Sequence, residues 1–394
     1  MPGRPKIPLK IVLLLSGPLA YFLGRITAFY PEQVERYFAM GFAQKITRCL
    51  SLATGVLPFS LAEVLVCLLL LGAVLGALGR TAGLISRKIG RKMPSHKING
   101  KRTKLMPFFK NLALNLIIVC GLAYLIFQIV WGLNYNRLTF AEIAGLELTE
   151  ATEEELKQLC VGLVQRANEL REGLPEDSSG VLKMEQEFAE IREKAREAFA
   201  LASGSYRELG GDYGPAKPVF FSRLMSYTGI TGIYIPFTGE ANVNIDIPVF
   251  TLPATVCHEM AHQRGFARED ECNYIAWLVC NSIEDRVFQY SGTILALTHS
   301  LNALSRVDSQ SAAELRSEFA PGVKRDLAYL TRYWSRYEGK IEQVASDIND
   351  AYLKSNRQQD GIRSYGRMVD LLLAEQKKHR SSGASVLADM RPDI

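Results

Sequence analysis

The chain has 394 residues, with 46 Lys and Arg against 41 Asp and Glu and a net charge of +5. The charge is unevenly spread: residues 1–134 carry 17 basic and 3 acidic side chains, leaving 29 basic and 38 acidic ones for residues 135–394. A basic third threaded with apolar runs, joined to an acidic remainder that repels phosphate, excludes a simple nucleic-acid binder and points to two environments.

Three apolar runs lie in the basic third. Ile11–Gly24 is short, holds Pro18 and is followed by Arg25; no small-x-small cleavage site follows, as a signal peptide would require. Val56–Gly79 carries only Glu63, near its start, and Asn111–Asn136 carries no charge. A bilayer is crossed by about 20 apolar helical residues, so the runs predict three transmembrane helices, at about 11–30, 56–79 and 111–134. Between the second and third, residues 80–110 hold ten Lys and Arg and no Asp or Glu. Short loops of that kind stay cytoplasmic and favour anionic lipid. The N-terminus, with Arg4, Lys6 and Lys10, then shares the cytoplasmic side of the cell membrane. Residues 1–136 form a membrane domain and residues 137–394 an extracytoplasmic one.

In the outer part, Thr152 followed by Glu155 is a capping box, with Leu156, Leu159, Leu163 and Val164 at helical spacing behind it. Pro175–Gly180 breaks that helix, and Met184–Ala202 reads as another. Residues 204–253 are rich in Gly, Pro, Tyr and Thr, and Ile233–Pro236 and Val243–Asp246 alternate like strands. From Pro253 the pattern is helical again, with breaks expected near Gly265, Gly292, Pro321 and Gly361, and a polar tail follows Lys377. The expected fold is therefore mainly α with a small β element. Cys160, Cys257, Cys272 and Cys280 have no disulfide-scaffold spacing, and free buried thiols are expected.

The chemistry concentrates in Thr255–Gln263, which holds two of the chain's five histidines. His258 and His262 are four apart, so a helix projects both from one face toward a single Zn²⁺, and Glu259 can reach a water on that metal as general base. A catalytic zinc takes three protein ligands and keeps one position open. The third is expected among the acids just downstream: Glu269 is preferred, with Glu271 as the alternative, and Asn273, on the Glu269 face, could orient a ligand histidine. Cys257 points away from the histidine face.

The stretch Cys257–Ala276 resembles the zincin metallopeptidases, above all their gluzincin branch. The second gluzincin motif is a ligand Glu, two residues, a small residue and an Asp or Asn, which Glu269–Asn273 fits with Cys272 as the small residue. The spacing departs from the pattern, because gluzincins separate their two motifs by many more residues. Gly265, three after His262, matches metzincins instead, but Arg268 stands where their third histidine would be. Through Ser226–Gly232, Phe237–Asn244 and Ser364–Leu371 the whole chain is similar to an uncharacterised family of bacterial, mainly Gram-positive, three-span membrane proteins.

The resemblance implies three N-terminal transmembrane α-helices followed by a mainly α, zincin-like α+β domain. It also implies a strand, here within Ile233–Ile245, that holds extended peptide beside the active helix. The expected function is a membrane-anchored zinc metallopeptidase acting on peptide or protein, with no nucleic-acid partner. The alternative is a non-catalytic zinc-binding envelope or sensory protein. Tyr227, Tyr234, Tyr274, His299 and Arg367 are candidates for oxyanion stabilisation, with no choice among them.

Overall fold

The computed structural model describes residues 9–89, 105–356, 358 and 360–381. Arg4 and Lys6, most of the basic loop and the end of the polar tail lie outside the described residues.

Among the described residues two helices, not three, are long and apolar enough to cross a membrane. They are Leu61–Gly79, of mean hydropathy 2.6, within the helix Leu61–Ile89, and Lys110–Val130, of mean hydropathy 2.3, within the helix Leu105–Val130. Few of their side chains are buried, unlike those of a soluble protein's core helix. The expected first span is instead two short pieces, Leu9–Leu14 and Ser16–Thr27 (α1), of 6 and 12 residues. Pro18 has no N–H to give the Leu14 carbonyl, and the helix breaks at Leu15. Each piece falls short of the roughly 20 residues a crossing needs. α1 packs along the 105–130 helix, and Asn136 Nδ2 donates to Gly24 O and Thr27 Oγ1, both at 2.8 Å.

Residues 31–60 pack against the chain that follows Val130. A π-helical stretch, Val34–Ala43, leads into the helix Gln44–Gly55 (α2). Arg137 grips Glu35 through Nη2 at 2.6 Å and Nε at 2.8 Å, and both residues are buried. Thr54 Oγ1 donates to Thr238 O at 3.2 Å. The helix Leu61–Ile89 (α3) then starts on a carboxylate from the domain: Glu240 accepts from Leu61 N at 2.9 Å and Ala62 N at 2.8 Å. A negative charge on unpaired N–H groups at a helix start is favourable by about 0.3–1 kcal/mol.

After Leu105–Val130 (α4) the capping box forms as expected. Thr152 and Glu155 cap Glu153–Arg171 (α5), and the next helix, Phe188–Ala202 (α6), starts four residues later than its pattern suggested. A three-stranded sheet follows in the order β1–β3–β2, with Lys217–Pro218 (β1) parallel to Glu240–Val243 (β3), and Gly232–Ile235 (β2) antiparallel to it. β3 ends where the second strand was expected to begin, because Asn244 turns to bond Ser226 Oγ and Ile230 O.

The C-terminal half is helical: Leu252–Gln263 (α7), Glu269–Asn281 (α8), Arg286–Val307 (α9), Pro321–Ser335 (α10), Lys340–Ser355 (α11) and Met368–Ser381 (α12). α9 runs unbroken through Gly292, correcting the expected break. A Cβ there would lie 2.7 Å from Cys280 Cβ, so the glycine serves close packing against α8 rather than a turn. One apolar core joins α5 to α9, α12 and the sheet. Inside it Asp326 is fully buried and accepts from Arg171 Nε at 2.7 Å, Tyr290 OH at 2.8 Å and Leu182 N at 2.8 Å.

Candidate metal centre

α7 enters through Pro253 in its first turn and puts His258 and His262 one turn apart, with ring centroids 4.8 Å apart. It ends at Gln263, before Gly265, and a short turn returns the chain at Glu269, the first residue of α8. Glu269 Oε2 lies 3.2 Å from His258 Nε2 and 3.4 Å from His262 Nε2. One donor atom from each of the three side chains falls within 4.8 Å of the others. Two imidazole nitrogens and one carboxylate oxygen form a group that could hold a metal ion.

The surroundings fix the donors. His262 Nδ1 donates to Phe266 O at 2.8 Å, so in the neutral ring Nε2 is the acceptor. Cys272 Sγ also reaches Phe266 O, at 3.2 Å. Burial alone would lower the His262 pKa, but neighbouring Cys272 and Glu269 hold it well above its ordinary value. Glu269 responds the opposite way: burial would raise it, yet the two histidines drive it far below the carboxylate range.

Glu259 follows His258 on α7 and lies within electrostatic reach of all three donors. It is buried, its Oε2 meets no hydrogen-bond donor among the described residues, and burial pushes its carboxyl up to about 7. The edge strand β2 presses on it at Gly232, where a side-chain carbon would overlap the Glu259 carboxylate. A glycine is required there by contact rather than by backbone angle.

Glu271, the alternative ligand, points elsewhere. Its Oε1 accepts from Arg268 Nη1 at 2.8 Å and Phe140 N at 3.0 Å. Asn273 is buried one turn beyond Glu269 on α8. Among the other candidates, Tyr274 packs against Phe140 and Trp277 in the core, Tyr227 sits edge-on to Tyr337, and Arg367 pairs with Asp360 and Asp370. Tyr234 is buried beneath Trp131, their rings 4.7 Å apart.

His299 on α9 is held down to about 4, first by burial and then by the charge of His258. Because its folded pKa lies below the ordinary 6.5, its neutral form is the stabilising one. That contribution is complete above pH 6.5 and drains away as the pH falls toward 4. Thermal midpoints of wild type should therefore fall more steeply across that window than those of His299→Leu; equal slopes would contradict this account.

Three contributors were not signalled by the motif. Trp131 directly follows the second long apolar helix and meets His262 edge-on at 6.1 Å. Phe266 acts through its carbonyl, which no side-chain pattern reveals. Tyr352 of α11 hydrogen-bonds Tyr135 OH at 3.2 Å and lies beside Phe127.

Residues 38–373 match a family described as a protein of unknown function, DUF3810. The chain belongs to that family. DUF3810 membership covers α2 through the start of α12, and so the whole His258, His262 and Glu269 group. A search of curated proteins found no match, and neither did a search of solved structures.

Proposed function

We propose that this chain is a membrane-anchored, zinc-dependent peptidase. The observation that carries the reading is the convergence of His258 Nε2, His262 Nε2 and Glu269 Oε2 within electrostatic reach of a buried Glu259 carboxylate whose Oε2 has no hydrogen-bond partner among the described residues. Two nitrogens and one oxygen suit Zn²⁺, and three protein ligands leave a position open for substrate. When bound, the ion would polarise the scissile carbonyl and acidify water.

Everything else falls to the chain's own groups. Glu259 Oε2 takes a proton from the attacking water as its oxygen bonds to the carbonyl carbon. It returns that proton to the amine nitrogen as the C–N bond breaks. Gly232 leaves room for the carboxylate, and the outer edge of β2 offers backbone groups to an extended peptide. A site that only held metal would have no use for Glu259, which disfavours a purely structural or sensory role.

The two long apolar helices are the anchor. Their basic connection stays in the cytoplasm under the positive-inside rule. Residues 31–60 and the domain after Val130 would then share the opposite, outer face, a reading that the bonds of Glu240 to Leu61 and Ala62 support by holding the two parts together.

Dialysis against zinc with casein as substrate tests the reading. Wild type should bind one ion and hydrolyse casein in a chelator-sensitive way. Outer-shell changes at metal sites weaken binding 10–100-fold, so losing the direct ligand in Glu269→Ala should cost at least about 100-fold. Glu271→Ala should bind zinc as wild type does. The opposite ranking would remove Glu269 from the site.

A further inference from the structure

We infer that the segment Val219–Met225 is a second membrane contact, an aromatic lip that dips into the bilayer beside the start of α3. The inference rests on the membrane location proposed above, not on the peptidase chemistry. Glu63 is the only charged residue in the apolar run of α3 and lies in its first turn. Its half-buried carboxylate pairs with no cation among the described residues and is held by backbone N–H groups instead. Oε2 accepts from Phe220 N at 2.9 Å and Oε1 from Phe221 N at 2.8 Å. A charge at that depth is costly in lipid unless it is bonded, and the two bonds also fix where the Phe pair sits.

Glu63 is two residues past Leu61, roughly 3 Å along the helix at 1.5 Å per residue. Phe220 and Phe221 are therefore clamped level with the first apolar turn. Phe220 is 85% exposed and Leu224 62%, and the two Phe rings stand edge to face at 5.0 Å. Val64, Leu65 and Val66 on the adjoining turn are exposed as well, so the lip continues the apolar surface of the span. Exposed apolar side chains grouped like this mark an interaction site, and the exposed Arg223 among them suits the charged headgroup level. Continuity with the span identifies the occupant as the hydrocarbon edge of the same bilayer rather than a protein partner. Insertion of a few large apolar side chains into the headgroup–acyl boundary is an established mode of membrane attachment.

The test places the full chain in phosphatidylcholine–phosphatidylglycerol vesicles and adds a reporter tryptophan as Phe220→Trp, with Leu224→Trp as a second position. Leu70→Trp, mid-span and exposed, serves as the reference. Lipid brominated high on the acyl chain should quench most of the emission that either lip variant adds over wild type. Lipid brominated near the chain end should quench Leu70→Trp more strongly than the lip. If Leu70→Trp is quenched while both lip variants keep their emission, the lip does not enter lipid and the inference fails. Lip variants shielded from both brominated lipid and aqueous iodide would mean that protein covers them, which also overturns it. Loss of quenching at Leu70→Trp would overturn the membrane reading itself.

Discussion

Glu259→Gln is expected to leave zinc bound and to remove hydrolysis. The amide has nearly the volume of the carboxylate, so the contact with Gly232 and the packing of α7 survive, and His258, His262 and Glu269 keep their places. What is lost is a group that can accept and return a proton. General base catalysis contributes about 10²–10⁴-fold, so kcat should fall by about 10³-fold with little change in KM, the pattern of an interaction used only in the transition state. Metal content by mass spectrometry and casein hydrolysis on one preparation check both halves. A variant that keeps its zinc and more than about a tenth of wild-type kcat would fall outside that catalytic range and remove Glu259 from the reaction. Loss of zinc from the variant would place it in the metal's coordination instead.

The second large effect is structural. Arg137→Ala strands the buried Glu35 carboxylate, whose only described ion-pair partner is that guanidinium. Breaking a buried pair from one side costs about 3–5 kcal/mol. Arg137 also lies over the Phe266 ring at 4.2 Å and reaches Arg264 O, so its loss loosens the turn that aligns His262. Denaturation of the detergent-solubilised protein should show the full loss in Arg137→Ala. The double variant Glu35→Leu with Arg137→Met, having no stranded charge, should recover much of it. A loss under about 1 kcal/mol in the single variant, the range of exposed pairs, would show that the contact is not buried in solution.

The sequence disclosed what short-range periodicity encodes. Four-residue spacing placed His258 and His262 together, and the nearby acids limited the third donor to two. Helical phase alone could not separate Glu269 from Glu271, since both carboxylates are buried on α8 and only the turn at Gly265 decides which one swings back over α7. The outer helices were legible through caps such as Thr152. Gly292 misled because a glycine chosen for close approach to Cys280 has the same letter as one chosen for a turn. Ile11–Gly24 misled because its apolarity outweighed Pro18. Trp131, Gly232 and the Glu35–Arg137 pair stayed hidden, as each matters only through a partner about a hundred residues away or, for Gly232, in another element.

Trp131 has a mechanical consequence. It follows Val130 without a spacer and rests against His262 and Tyr234, and Arg268 ties down the carbonyls of Tyr135 and Arg137 just beyond. No swivel separates α4 from the donor helices. Helices that cross bilayers lean by about 20° on average and adjust that lean to bilayer thickness. If α4 crosses the bilayer as proposed, a chain joined this stiffly would turn the donor helices whenever α4 leans, making lipid thickness a variable of the site.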